Sequence, residues 1–261
     1  MNEKNLDYLK EGLKYMGFGT SLNGELEKHL QGQQPEFRLG LQIPHHNSRM
    51  DYTLHFRRSD QSDMYFFNKY DATLKPDDSA REVSQTFYIN KNSGITAKEA
   101  YNLLNGRSVH KELVNAENQP YKAWLQLDPQ AKDQQGNHKV KQFHENYGFD
   151  LEKTLQKFHI NELQDPQQKE RLLRSLERGN QQLVTAKEEG YEVKRYIEAS
   201  PQFKTINVYN EQRHLAKRET IQKQDKEVRQ AHQVPQKGTR QDLAAQDQPE
   251  EKRSQRKGLA I

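Results

Sequence analysis

The sequence predicts an α+β protein of up to three repeated helix-plus-antiparallel-strand units, followed by a polar flexible C-terminal tail. Three observations predict it. A short amphipathic helix closing on a glycine precedes a run of strands three times over. The alternating segments are joined by polar bends of a few residues, too short for a parallel crossover. Apolar periodicity stops near Asn210.

The middle copy reads Ala100, Leu103, Leu104, Gly106, then the strand Tyr121, Lys122, Ala123, Trp124, Leu125, and the last copy reads Leu172, Leu173, Leu176, Gly179, then Val193, Lys194, Arg195, Tyr196, Ile197. Setting Lys122 on Lys194 also brings Trp124 onto Tyr196, Pro129 onto Pro201, Gln130 onto Gln202 and Lys132 onto Lys204. A fainter first copy has Leu26, Leu30 and Gly32 ahead of Tyr52, Leu54 and Phe56. Repetition of a small unit accounts for this order; common α+β grammar is the competing explanation. The expected units are residues 1–92, 93–160 and 161–212, with a basic tail, disordered or partly helical, over 213–261.

Leu6, Leu9, Leu13 and Met16 make one apolar face of an opening helix, which Gly17 and Gly19 stop. Leu26 and Leu30 mark a second helix, ending at Gly32. Phe37, Leu39, Leu41 and Ile43 alternate with polar residues, as a strand with one wet face does, and residues 52–56, 64–74 and 86–89 follow suit. Thr96 with Glu99 three residues on forms a capping box ahead of Ala100, Leu103 and Leu104. Gly106 then takes the left-handed turn that ends a helix. Strands follow at residues 109–114, 121–127 and 139–143. Asp150 caps a helix carrying Leu151, Leu155 and Phe158, and Asp165 caps one with Pro166 at its first position. Gly179 stops that helix, and strands occupy residues 182–186, 191–198 and 204–209. Residues 210–233 are helix-permissive but nearly all polar, and the sequence beyond Pro235 is too polar to bury a core.

Hydrophobic residues make up 32% and charged residues 30%, with a mean hydropathy of −1.21, so three full units have little apolar material to spare. Residues 213–261 carry 12 Lys and Arg against 7 Asp and Glu, a net +5 in a chain of net +4, which leaves residues 1–212 near −1. The basic character therefore belongs to the tail. The absence of cysteine excludes disulfides, zinc–thiolate sites and thiol nucleophiles. No apolar leader opens the sequence and no stretch is long enough to span a bilayer, so a soluble, cytoplasmic protein without membrane contact is expected.

Ten histidines invite a metal reading, but His45, His46, His55, His138, His144 and His159 show no ligand spacing. Phosphate loops, dinucleotide fingerprints and nucleophile elbows are also missing. No catalytic, cofactor or metal residue is assigned, and no enzymatic activity is expected. Strand alternation places Trp124 and Tyr196 opposite the aliphatic residues, beside Lys122 and Lys194. Aromatics flanked by lysine on a sheet face stack on unpaired bases; the alternative is that a helix covers this face and Trp124 is core. In the tail, Lys252, Arg253, Arg256 and Lys257 offer phosphate contacts, diluted by Glu250 and Glu251.

The run Ile95-Thr96-Ala97-Lys98-Glu99-Ala100-Tyr101-Asn102-Leu103-Leu104-Asn105-Gly106-Arg107-Ser108-Val109, with Gln119-Pro120-Tyr121-Lys122-Ala123-Trp124-Leu125-Gln126-Leu127 after it, resembles an uncharacterised family carried on conjugative and mobilisable elements of Bacteroidota. Residues 9–18 and 197–209 share the likeness. The resemblance implies a setting beside DNA-processing proteins and transfers no catalytic residue. The expected function is that of a non-enzymatic interaction protein of a mobile element, binding a partner protein of a conjugation or DNA-processing apparatus. The alternative is an accessory single-strand nucleic-acid binder using Trp124, Tyr196 and the tail.

Overall fold

In the computed structural model, residues 2–78, 81–89 and 94–223 are described. The first helix, α1 (Glu3–Tyr15), starts where Asn2 accepts the backbone N–H of Asn5, and it buries Leu6, Leu9 and Leu13. Asn5 is buried too, because its side-chain amide exchanges two hydrogen bonds with the backbone of Tyr65. A second helix, α2 (Asn23–Gln31), buries Leu26 and Leu30. Gly32 keeps an ordinary φ of −71°, and Gln33 takes the left-handed turn at +51°, so the glycine stop expected here falls one residue later on a non-glycine.

Four strands follow as a meander: β1 (Glu36–His45), β2 (Ser48–Arg58), β3 (Tyr65–Pro76) and β4 (Val83–Tyr88), hydrogen-bonded in that order and antiparallel throughout. Helix α3 (Ala97–Leu104) carries the expected capping box, with Thr96 and Glu99 satisfying each other's backbone donors. It is tied to the first sheet by the hydroxyls of Tyr70 and Tyr52, which donate to the carbonyls of Ile95 (2.6 Å) and Ala97 (2.8 Å). A three-stranded meander follows: β5 (Val109–Val114), β6 (Pro120–Lys132) and β7 (His138–His144). Helices α4 (Leu151–Leu155) and α5 (Pro166–Glu177) start on the Asp150 and Asp165 caps, and Phe158 lies past the end of α4 while still buried. The last meander is β8 (Gln182–Glu188), β9 (Tyr191–Ser200), β10 (Thr205–Tyr209) and β11 (Leu215–Ala216). The protein is thus α+β, and the order of helix then antiparallel meander occurs three times. β2, β6 and β9 are each the second strand of their meander. Pro129 lies within β6, however, whereas Pro201 opens a 3-10 turn after β9, so the matched Pro-Gln pairs occupy different structures.

Two cores share the middle sheet. Ala123, Leu125 and Leu127 of β6 join α1, α2, α3 and the first sheet, while Trp124 joins α4, α5 and the inner face of the third sheet. Strand alternation sends neighbouring residues to opposite faces, and here both faces are covered.

The fold does not end at Gln212. Leu215 and Ala216 pair with Tyr209 and Val208, Ile221 is fully buried in the second core, and the backbone N–H groups of His159 and Lys223 donate across the Ile221–Lys157 seam at 2.8 Å. One well-placed isoleucine makes this polar segment part of the structure, which corrects the expected boundary to 223. Residues 224–261, with Lys252, Arg253, Arg256 and Lys257, lie outside the described residues.

Candidate functional site

The best candidate is a basic and aromatic cluster where α3 meets the third sheet. The capping box fixes the first turn of α3, so Lys98 and Tyr101, three residues apart, fall on one side of the helix, Lys98 exposed and Tyr101 half-buried. Gly106, at φ +77°, turns the chain and sends Arg107 back along the helix, where its guanidinium donates to Asn102 Oδ1 at 2.7 Å. Asn102 is fully buried and its Nδ2 donates to the Arg178 carbonyl (2.6 Å) and Asn180 Oδ1 (3.0 Å). That network pins α3 to the turn around Gly179. The pin is tight: a Cβ on Gly179 would stand 2.8 Å from the Ser108 carbonyl oxygen.

Tyr101 is the platform. The His45 ring lies parallel to it at 3.8 Å between centroids, the Lys98 ammonium sits 4.7 Å from its centre and the Arg107 guanidinium 5.4 Å. On the outer face of the third sheet, buried Glu198 accepts from the hydroxyl of Tyr209 (2.6 Å) and the amide of Asn207 (3.0 Å), and faces Arg107 at 3.7 Å. Tyr209 stands opposite Tyr196 in the β9–β10 register. Over the Tyr196 ring lies the Arg213 guanidinium, 4.3 Å from the centroid and donating to Gln181 at 2.8 Å. Arg213 holds a φ of +63°, a costly conformation for a non-glycine residue, inside the turn closed by Asn210.

The electrostatics follow from the geometry. Partial burial first, then the charges of Arg107 and Arg213, press the ammonium of the exposed Lys98 side chain below its ordinary pKa. Burial, then Lys98 and Arg107, lower His45 and favour its neutral ring. Burial and the bonded Glu198 carboxylate push the Tyr209 hydroxyl up, so it stays a donor. Glu198 answers Arg107 alone. Lys98, Lys194 and Arg213 have no carboxylate within ion-pair distance among the described residues.

Comparison with family models, with curated proteins and with solved structures finds no match to this chain. Function has to be read from the site itself.

Of the sequence-predicted residues, Tyr196 belongs to the cluster, and exposed Lys194 lies two positions away on the same face, its ammonium donating to Thr185 Oγ1 at 2.6 Å. Trp124 does not. It is 6% exposed, edge-on to Phe149 at 5.4 Å, and offers no ring face to a base. Its place opposite the aliphatic residues comes from the second core, which claims that side of β6. Lys122 is exposed in a shallow groove of mixed charge with Glu112, Tyr121, His144 and Glu145. Lys98, Tyr101, Arg107, His45 and Arg213 were missed. The Gly106-Arg107 pair after a capped helix was a readable signal; the meeting of four distant segments was not.

Two other groupings carry less chemistry. On the first sheet His55 and Thr86 both bond Asp71, at 2.6 and 2.7 Å. The hydroxyl is held by the carboxylate and not by the imidazole, so the histidine is not placed to activate it. Among the described residues no three His, Asp or Glu side chains converge as metal ligands, and no helix is long and apolar enough to cross a membrane.

Proposed function

We propose that this chain is a non-enzymatic, cytoplasmic accessory protein of a mobile genetic element that docks an anionic partner through the outer face of its third sheet. One observation carries the reading: Lys98, Lys194 and Arg213 pair with no carboxylate among the described residues, and two of the three are braced by aromatic rings. Cations held without a paired carboxylate attract anions. The likeness of residues 95–109 and 119–127 to a mobile-element family supports the setting, and an anionic partner within a conjugation or DNA-processing apparatus fits the charge.

Retention on a dextran sulfate column tests it. The full chain and the Lys98→Gln/Lys194→Gln/Arg213→Gln variant are eluted with a salt gradient. The variant is expected to leave at clearly lower salt. Elution of both at the same salt would sink the reading, because the cluster would then contribute nothing to anion binding.

A further inference from the structure

We infer that Lys98, Arg107 and Arg213 form a phosphate clamp for a single-stranded nucleic acid lying over the outer face of the third sheet, with Tyr196 as the neighbouring base platform. The inference rests on the docking reading above and names its ligand.

Contacts link the three cations into one site. Lys98 and Arg107 share the ring of Tyr101, Arg107 reaches Glu198, Glu198 holds Tyr209, and Tyr209 stands opposite Tyr196, on which Arg213 lies. Each cation is positioned by something other than a carboxylate or shares one that is already saturated. Arg107 is fixed by Asn102 at 2.7 Å and Arg213 by Gln181 at 2.8 Å. Guanidiniums laid on rings keep their edge donors in a plane, the geometry that suits phosphate oxygens.

Beyond the clamp the sheet face is suited to bases and not to an acidic peptide. Leu183, exposed, stands opposite Tyr196 in the β8–β9 register, and Lys194 lies two residues before Tyr196 on β9. An aromatic and aliphatic strip with Lys194 and Arg213 beside it serves unpaired bases, whose flat faces a duplex hides. Side chains on one face of a strand repeat every two residues, roughly 6.5–7 Å, so Lys194 stands one such step from Tyr196 on β9.

The test is fluorescence anisotropy with the full chain and a labelled single strand of about 20 nucleotides, against the matching duplex and with polyglutamate as competitor. Lys98→Gln/Arg213→Gln removes two exposed cations and spares Arg107, whose loss would leave buried Glu198 without its cation. A second variant, Lys252→Gln/Arg253→Gln/Arg256→Gln/Lys257→Gln, measures the tail separately. Clamp loss is expected to weaken single-strand binding by about tenfold and to reduce the salt slope by about 1.4, the share of two phosphates. Tyr196→Leu is expected to weaken the single strand severalfold while leaving polyglutamate unchanged. If the clamp variant binds the strand as the wild type does, or if polyglutamate competes as well as unlabelled strand, the clamp is overturned while anionic docking stands. Failure to bind either polyanion overturns both.

Discussion

The first and third sheets are both four-stranded antiparallel meanders, yet they treat their outer charges in opposite ways. On the first, Asp51 takes Arg49 at 2.9 Å and Lys75 at 3.1 Å, Lys75 also reaches Glu82, and Asp71 bridges His55 and Thr86. On the third, Lys194 and Arg213 have no carboxylate within ion-pair distance among the described residues, and the central acid, Glu198, is buried under a tyrosine, an asparagine and an arginine. Both inner faces take residues from the middle sheet, Ala123, Leu125 and Leu127 for the first and Trp124 for the third, and the third also takes Ile221 from a short polar segment. The outer charges named on the first sheet are paired, whereas the third leaves Lys194 and Arg213 without a carboxylate partner among the described residues.

The most severe way to break this contrast is to remove the borrowed ring. Trp124→Ala is expected to cost about 3–5 kcal/mol, the usual toll for emptying an aromatic core position. Urea titration by far-UV circular dichroism measures it. As the sole tryptophan, Trp124 also reports on its own surroundings: its emission should be blue-shifted and resistant to iodide. A cost below about 1 kcal/mol with easy quenching would place the ring on the surface and return it to the candidate site.

The seam between α3 and the third sheet comes next. Gly106 and Gly179 share a positive φ, but a Cβ meets nothing within 4 Å at Gly106 and the Ser108 carbonyl at 2.8 Å at Gly179. Gly106→Ala should cost about 1 kcal/mol for the left-handed backbone alone, and Gly179→Ala about 2–4 kcal/mol once crowding is added. Equal melting temperatures for the two variants would mean that the seam gives way freely, and the clamp geometry would lose its support.

That pair of glycines shows what the sequence makes readable. Caps at Thr96, Asp150 and Asp165, and glycine stops at 106 and 179, are local backbone chemistry and survive folding unchanged. Strand alternation correctly put Trp124 and Tyr196 opposite the aliphatics, but which of those faces stays wet depends on what packs over it, and that is long-range. Ile221 was invisible for the same reason: one apolar residue in a polar run has no periodicity to detect. The site drew on His45, Lys98, Arg107 and Arg213, segments more than 160 residues apart at the extremes, so only Tyr196 and Lys194 could be singled out beforehand.

A milder test probes the satisfied face by pH. Partial burial pushes the Asp71 carboxyl up, but the Thr86 hydroxyl and the His55 ring, bonded to its two oxygens, bring it below its ordinary value. A depressed carboxyl contributes stability that is present above the unfolded pKa, near ~4, and is lost as pH falls through the folded value. Denaturation midpoints measured from about pH 5 down to about pH 2.5 should fall less steeply for Asp71→Asn than for wild type. Parallel curves would show that the first sheet's network contributes nothing to acid stability.

The smallest effect separates the faces most directly, because it is a matter of sign. In the free protein the Lys98 charge is disfavoured by burial and by two neighbouring arginines. A base with a depressed pKa gains native stability as pH climbs from its folded value toward the ordinary lysine value, so at neutral pH the fold carries the penalty. Lys98→Met keeps the apolar stem near Tyr101 and removes the charge. The expected result is a neutral to stabilising change of at most about 0.5 kcal/mol in urea denaturation. Lys75→Met on the first sheet should go the other way, since Asp51 and Glu82 hold that ammonium above its usual value. A saturating polyanion should then reverse the Lys98 comparison, stabilising the wild type more than the variant through mass action on the native state. If both lysines prove destabilising to remove and the polyanion shifts neither, the two faces are electrostatically alike and the third sheet holds no charge in reserve for a ligand.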